Sequence, residues 1–297
     1  MPAALWGNGN TIHLLRIAAP PVAYSFSWVS KMTLPHVRWL VQKKSINTDE
    51  GKVVEVWDLQ HIDDAKVLST WAKHFRQHYI LDSQIDTLRK GTGKSRADYL
   101  RDHKFPTTDG LGASVRAGDF AEILVCDFIE FIQGYWCPRE RYILKWNQNE
   151  STKGSDVVGF RFAADTESPK DSMYVLESKT TFAATKENRL QKAVDDSAKD
   201  PVRYAATLNA LKQRFIERKD DGAAAKIERF QDPTDNPYVF LNGAVLVCTD
   251  QHYDEALLKQ TVCETHPNKD KLTLFVVSGS AMMDLTNALY ERAANEA

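Results

Sequence analysis

The chain has no excess of positive charge: 38 Lys and Arg stand against 40 Asp and Glu in 297 residues, a formal net charge of −2. The global basic field that draws in a polyanion is therefore missing, and any contact with nucleic acid has to come from a local patch or from a partner that delivers the substrate. Cysteine is scarce too. The four thiols, Cys126, Cys137, Cys248 and Cys263, form no CxxC pair and no Cys/His spacing of a structural zinc site, which points to free thiols in a reducing cytoplasm. Long apolar runs are lacking, since 244–248 and 274–277 fall far short of the ~20 residues that a membrane helix needs. The stretch from Leu14 to Val29 is broken by Arg16 and Pro20-Pro21 and follows no basic residue, so neither a signal peptide nor a membrane span is expected. No internal repeat occurs, which excludes solenoids. What remains, 43% hydrophobic and 26% charged residues, is the composition of a folded chain with one large or two ordinary domains.

The hydrophobic periodicity changes along the chain. Two extended segments are expected around Ala23–Ser30 and Val53–Leu59, joined by the polar Lys43–Lys52. From Asp63 to Lys104 the pattern is helical, with Leu68, Trp71, Phe75 and Ile80 near the 3.6-residue period, then Ile85 with Leu88, then Tyr99 with Leu100. A turn-rich segment, Phe105 to Gly112, divides a largely helical N-terminal region (1–110) from the remainder (111–297). Ala117 to Gly134 predicts a helix ended by its glycine. Strand-like runs follow at Tyr142–Trp146, Val157–Phe162 and Met173–Thr181, then a polar helical zone at Thr185–Phe230. Ala244–Thr249 and Leu272–Ser278 read as buried strands with a helix between them, and Met282–Ala294 as a last helix. This order describes an α/β protein, a mixed sheet flanked by helices.

Within 118–181 lies a spaced set of acids that ends in a lysine. Glu122 is on the predicted helix, Asp156 closes the Gly-containing approach Lys153-Gly154-Ser155-Asp156 to one strand, and Glu177-Ser178-Lys179 lies inside the next. Strand side chains alternate, so Glu177 and Lys179 share a face while Leu176 and Ser178 share the other. If the two strands pair antiparallel through a turn in 163–172, Asp156 comes to lie beside Glu177. Carboxylate oxygens are the ligands that hard cations such as Mg²⁺ prefer. A cation held there polarises a phosphoryl oxygen, and a neighbouring lysine stabilises developing charge, which together suit phosphodiester hydrolysis. Taken singly, Asp156 or Glu177 is better read as a solvated partner of Lys153 or Lys179, and an acid-x-lysine triplet is common in a chain this charged. The order of helix acid, Asp at a strand approach and Glu-x-Lys inside an apolar strand favours the catalytic reading.

That order resembles the PD-(D/E)xK nuclease superfamily, with Ser155 at the proline position. The segments KHFRQHYILDSQIDTLRKGTGKSRADYLRDHKFP, GDFAEILVCDFIEF and KGSDVVGF extend the likeness: the chain is similar to the HamA family, the nuclease subunits of Hachiman antiphage systems. The resemblance implies a restriction-endonuclease-like fold and a DNA nuclease dependent on Mg²⁺, with Mn²⁺ as the alternative ion. It also implies a superfamily-2 helicase partner, HamB, that senses aberrant DNA. By position, Asp156, Glu177 and Lys179 match the catalytic triplet and Glu122 the helix acid, with the three acids as metal ligands. A competing expectation is a catalytically inactive adaptor that uses the N-terminal region to bind and regulate a helicase.

Other signals are weaker. Lys186, Arg189 and Lys192 recur every third residue after the catalytic strand, as DNA phosphate contacts on one helix face would, although acids dilute the patch. Gly93-Lys94-Ser95 matches the end of a P-loop, but its required first glycine falls at Leu88 and no strand precedes it. Arg89, Lys90, Lys94, Arg96, Arg101 and Lys104 form a basic cluster that suits phosphate, an acidic surface or a solvated helix equally. Tyr135 and Trp136 read as core, and His74 with His78 lacks the Glu of HExxH.

Overall fold

A computed structural model describes residues 34–143, 145–199 and 201–297, with the side chains of Pro201 and Val202 left aside. The extended segment expected at Ala23–Ser30 lies outside the described residues. At the centre is one mixed sheet built from β1 (Leu40–Gln42), β2 (Ile46–Asn47), β3 (Val53–Leu59), β4 (Val157–Arg161), β5 (Ser172–Thr181), β6 (Val239–Thr249) and β7 (Leu272–Gly279). The order is β1-β3-β7-β6-β5-β4, with β2 also on β3. Strands β3, β7, β6 and β5 run parallel to one another, with β1 and β2 antiparallel to β3 and β4 closing the far edge antiparallel to β5. The parallel strands are apolar on both faces because helices cover both faces. On β6, Val245 and Val247 face one core with Phe275 and Val277, and Ala244, Leu246 and Cys248 face a second with Leu274 and Val276.

The first face carries α1 (Ala65–Arg76), α3 (Arg96–His103), α4 (Gly110–Asp127) and α9 (Met282–Asn295), and α2 (Asp82–Arg89) contributes Ile85 to the same core. The second carries α5 (Arg189–Ser197) and α8 (Glu255–Lys259), with α6 (Pro201–Glu217) and α7 (Asp221–Glu228) over β4 and β5. Leu68, Trp71, Phe75 and Ile80 are buried as their spacing predicts, whereas Leu88 is exposed. The described residues up to 110 share this sheet and this core with those from 111 on, since β3 pairs with β7 and α1 packs on α9. Helix α4 continues as a π-helical turn, Phe128–Ile132, before Gly134 ends it at φ +76.

The strand expected at Tyr142–Trp146 does not form among the described residues. Tyr142, Ile143, Lys145 and Trp146 belong to an irregular loop in which Lys145 N donates to Tyr142 O at 3.2 Å, closing a turn. Tertiary bonds hold the two polar side chains of this run instead, with the buried Tyr142 turned onto Glu122 and Lys145 onto Asp119, while Trp146 is exposed. Tyr135 is a core residue, and the half-buried Trp136 bridges to Phe160 and packs on Phe215 at the edge of the core.

Asp127 fastens four segments at the end of α4. Its Oδ2 lies 2.9 Å from His36 Nε2, and its Oδ1 lies 2.9 Å from His74 Nε2 and 2.8 Å from Arg139 Nη2. His74, His78 and Asp127 are close enough to share an ion, but the Arg139 guanidinium contacts both His78 and Asp127. Burial pushes the Asp127 carboxyl up, yet His74, Arg139 and the bond from His36 outweigh it and hold it well below 3.8. Its folded value lies below its unfolded one, so the stability it contributes is complete above pH 3.8 and is lost as pH falls beneath it. Asp127→Asn is expected to destabilise the protein by about 3–5 kcal/mol by leaving buried partners uncompensated. Thermal unfolding at pH 7 checks this, and an unchanged melting temperature contradicts it.

Candidate active site

Antiparallel pairing of β4 with β5 sets Val157 opposite Leu176, so the next position of the ladder sets Asp156 opposite Glu177. Asp156 extends that edge with its side chain, accepting from Ser178 N at 3.1 Å. Glu177 and Lys179 lie on the same face of β5 as Met173 and Val175, beneath α5 and α6. Gly154 anchors the approach to Asp156. It sits at φ +100, and a Cβ there would lie 2.7 Å from Thr207 Oγ1 on α6. The same hydroxyl accepts from Ser155 N at 3.1 Å, and Arg203 donates to Gly154 O at 3.3 Å. Helix α6 thereby fixes the residue pair directly before Asp156.

Glu122 reaches the site from α4, on the other side of β4 and β5. Its Oε2 accepts from Tyr142 OH at 2.5 Å and lies 2.7 Å from Arg141 Nε. Arg141 also donates from Nη2 to Asp156 Oδ1 at 2.9 Å and to Thr152 O at 3.2 Å, and from Nη1 to Ser155 O. One guanidinium therefore joins Glu122 to Asp156. Burial, with Asp156 and Asp119 nearby, pushes the Glu122 carboxyl up to about 8 against the opposing charge of Arg141. Burial works against the Arg141 charge, but Glu122 and Asp156 more than offset it and its pKa rises.

The second half of the site is centred on Lys179. Its ammonium lies 2.7 Å from Glu177 Oε1 and 2.9 Å from Asp196 Oδ2 on α5. Burial disfavours this ammonium, yet the two carboxylates raise its pKa above the ordinary value. Burial and the charge of Asp156 push the Glu177 carboxyl up despite Lys179. Burial also opposes ionisation of Asp196, but Lys199 and Lys179 hold its carboxyl down at about 2.

Two clefts meet at Ser155. One, of about 490 Å³, is lined by Asp156, Arg141, Lys153, Glu150 and Thr207 among others. The other, of about 430 Å³, is lined by Glu177, Asp196, Lys199 and Arg203. Asp156 is thus reached from one cleft and Glu177 from the other, while Glu122 lines neither. The donor chemistry of Asp156 and Glu177, opposite one another on β4 and β5, fits a hard divalent cation, which takes one or two carboxylates and water, with Glu122 held one guanidinium away.

The four residues expected from sequence are brought into one region, but not as one contact set: Glu122 touches Asp156 only through Arg141. Sequence patterning missed Arg141 and Asp196, one in an irregular loop and the other among acids that seemed only to dilute a basic patch. Lys186 does not share the helix face expected for it. Asn188 caps α5, accepting from Gln191 N at 3.0 Å, so the helix starts at Arg189 and Lys186 lies in the preceding loop. Lys186 and Arg189 still line a cleft of about 240 Å³, with Arg189 3.3 Å from Glu187. Gly93-Lys94-Ser95 follows helix α2, with Lys94 paired to Asp102 at 2.6 Å and Ser95 capping α3, so no phosphate loop forms.

Gly154→Ala is expected to cost about 1–3 kcal/mol from its left-handed backbone alone, with the Thr207 clash added. Pairing it with Thr207→Ala should recover part of the loss in melting temperature by removing that clash. Full recovery, or no initial loss, contradicts this reading of the Gly154 turn.

Comparison with known proteins bears on the same region. A family model described as HamA matches residues 35–293, which includes Glu122, Asp156, Glu177 and Lys179. No curated protein matches the chain. A match over most of the length shows the family, and the chain belongs to the HamA family.

Proposed function

We propose that the protein is the DNA nuclease of a Hachiman antiphage system, a PD-(D/E)xK enzyme that hydrolyses phosphodiester bonds. The observation that carries the reading is the register-fixed pair Asp156 and Glu177 beside Lys179, with Glu122 one guanidinium away. Family membership supports the defence role. Glu122, Asp156 and Glu177 would hold Mg²⁺ or Mn²⁺, which when bound supplies Lewis-acid polarisation of a phosphoryl oxygen. Lys179 is held by two carboxylates and so presents a fixed positive charge toward a phosphate entering beside Glu177. Helix α6 keeps Asp156 in place through Gly154 and Ser155, which removes the need to reorganise the acid during reaction.

Electrostatics argues that DNA is delivered rather than captured. Most cations near the site are already paired: Arg141 with Glu122 and Asp156, Lys179 with Glu177 and Asp196, and Lys145 with Asp119. Lys153 on the rim and Lys186 beside the smaller cleft remain as phosphate contacts, with Arg189 there on Glu187. A superfamily-2 helicase of the HamB type, feeding aberrant DNA to the subunit, supplies what the net charge of −2 does not.

Plasmid cleavage by the subunit with its helicase, in Mg²⁺ or in EDTA, tests the assignment. Cutting should require the ion and fall by at least ~10²-fold in Asp156→Ala and in Lys179→Ala, with the complex intact in both. Undiminished cutting by both folded variants removes these residues from the mechanism. No cutting by the wild-type complex under any condition favours the adaptor. The subunit alone should bind DNA weakly at moderate salt, and tight binding would show that local cations outweigh the overall balance.

A further inference from the structure

The proposed metal site already holds a cation of its own. Arg141 lies 2.7 Å from Glu122 and 2.9 Å from Asp156, the two acids that come from opposite sides of the β4 edge. A guanidinium is charged at any pH that the protein experiences, so it cannot yield this place by losing a proton. A divalent ion drawing on the same two carboxylates meets repulsion from the guanidinium at contact distance in a partly buried site, where charges are poorly screened. The guanidinium has to move before both acids can turn to the ion.

The surroundings permit that movement. Arg141 belongs to the irregular stretch between Gly134 and Asp156, which is pinned at both ends: Arg139 is fixed to Asp127 and Glu130, and Gly154-Ser155 to α6. Between these anchors, Arg141 is held by side-chain contacts and by two loop carbonyls, Thr152 O and Ser155 O. It lines the 490 Å³ cleft, whose wall also carries Glu150, a carboxylate for which the guanidinium can exchange its present partners. Arg141 Nε is also within ion-pair distance of Glu122 without making a hydrogen bond to it, which weakens that arm of the bridge.

We infer that Arg141 is an internal counter-cation that keeps Glu122 and Asp156 together in the resting subunit and sets its metal affinity, because a divalent ion binds only when the guanidinium swings into the neighbouring cleft. This rests on the reading of Glu122 and Asp156 as metal ligands. A contact that displaces the loop carrying Arg141, by the DNA backbone or by the helicase, then raises metal affinity, so the nuclease is loaded where substrate is present. Arg141 is a positioning residue in this scheme, acting through the two acids.

The sign of the effect separates this role from a structural one, since loss of a mere structural prop weakens metal binding. Mn²⁺ binding to the purified full chain, read as free Mn²⁺ by electron paramagnetic resonance, should be tighter by about tenfold or more in Arg141→Gln than in wild type. Arg141→Lys, which keeps a charge but loses the two-pronged fork, should fall between them and serves if the glutamine variant does not fold. Asp156→Asn in either background should remove the gain. Equal or weaker Mn²⁺ binding in the folded Arg141 variants, with wild type binding the ion, overturns the latch and leaves the metal site standing. Absence of Mn²⁺ binding from wild type and Arg141→Gln alike overturns the metal site and the latch with it.

Discussion

Carboxylates brought together in a poorly solvated place cannot all ionise unless positive charge is placed among them. Glu122 arrives from α4, Asp156 from the edge of β4 and Glu177 from β5, each delivered by an element whose position is set by the hydrophobic core. Two internal cations meet part of the demand. Arg141 lies between Glu122 and Asp156, and Lys179 between Glu177 and Asp196, yet burial still pushes the Glu122 and Glu177 carboxyls up. The irregular loop before β4, the tight Gly154 turn and the placement of α5 all follow from getting these two side chains to the acids.

Much of this was legible in the sequence where the signal is local. Val53–Leu59 is a strand with the bounds that its pattern predicts, and Leu272–Gly279 runs one residue beyond. The antiparallel pairing that sets Asp156 opposite Glu177 follows from two apolar runs and a turn-rich link. The misses share one physical origin, which is tertiary partnership between residues far apart in the chain. Arg141 has no periodic neighbour to announce it, and its partners come from α4 and from the strand approach. Asp196 looked like dilution of a basic face because its partner, Lys179, is on β5. Tyr142–Trp146 carries strand-like composition but is folded back by bonds from Tyr142 and Lys145 to α4. Lys186 was separated from Arg189 by a cap, since the Asn188 side chain satisfies the first turn of α5 better than another helical residue would.

The same economy of charge runs through the rest of the molecule. The basic stretch around α2 and α3 is largely absorbed internally, with Arg89 and Arg96 both on Asp86, Lys94 on Asp102 and Arg101 on Glu291. Asp127 gathers His36, His74 and Arg139. A near-neutral total is therefore not a dilution of scattered charges but the sum of many closed pairs. Such a surface is poorly suited to long-range attraction of a polyanion, so the proposed nuclease function needs a partner to present the DNA.

In the proposed function Glu122, Asp156 and Glu177 serve one cation, and Arg141 bridges the first two in its place. Crystals of the protein soaked in Mn²⁺ test it most directly, through the anomalous signal of the ion. An anomalous peak is expected among the three carboxylates, with the Arg141 side chain displaced toward Glu150. A site free of anomalous signal at saturating Mn²⁺, with Arg141 still bridging Glu122 and Asp156, would contradict it.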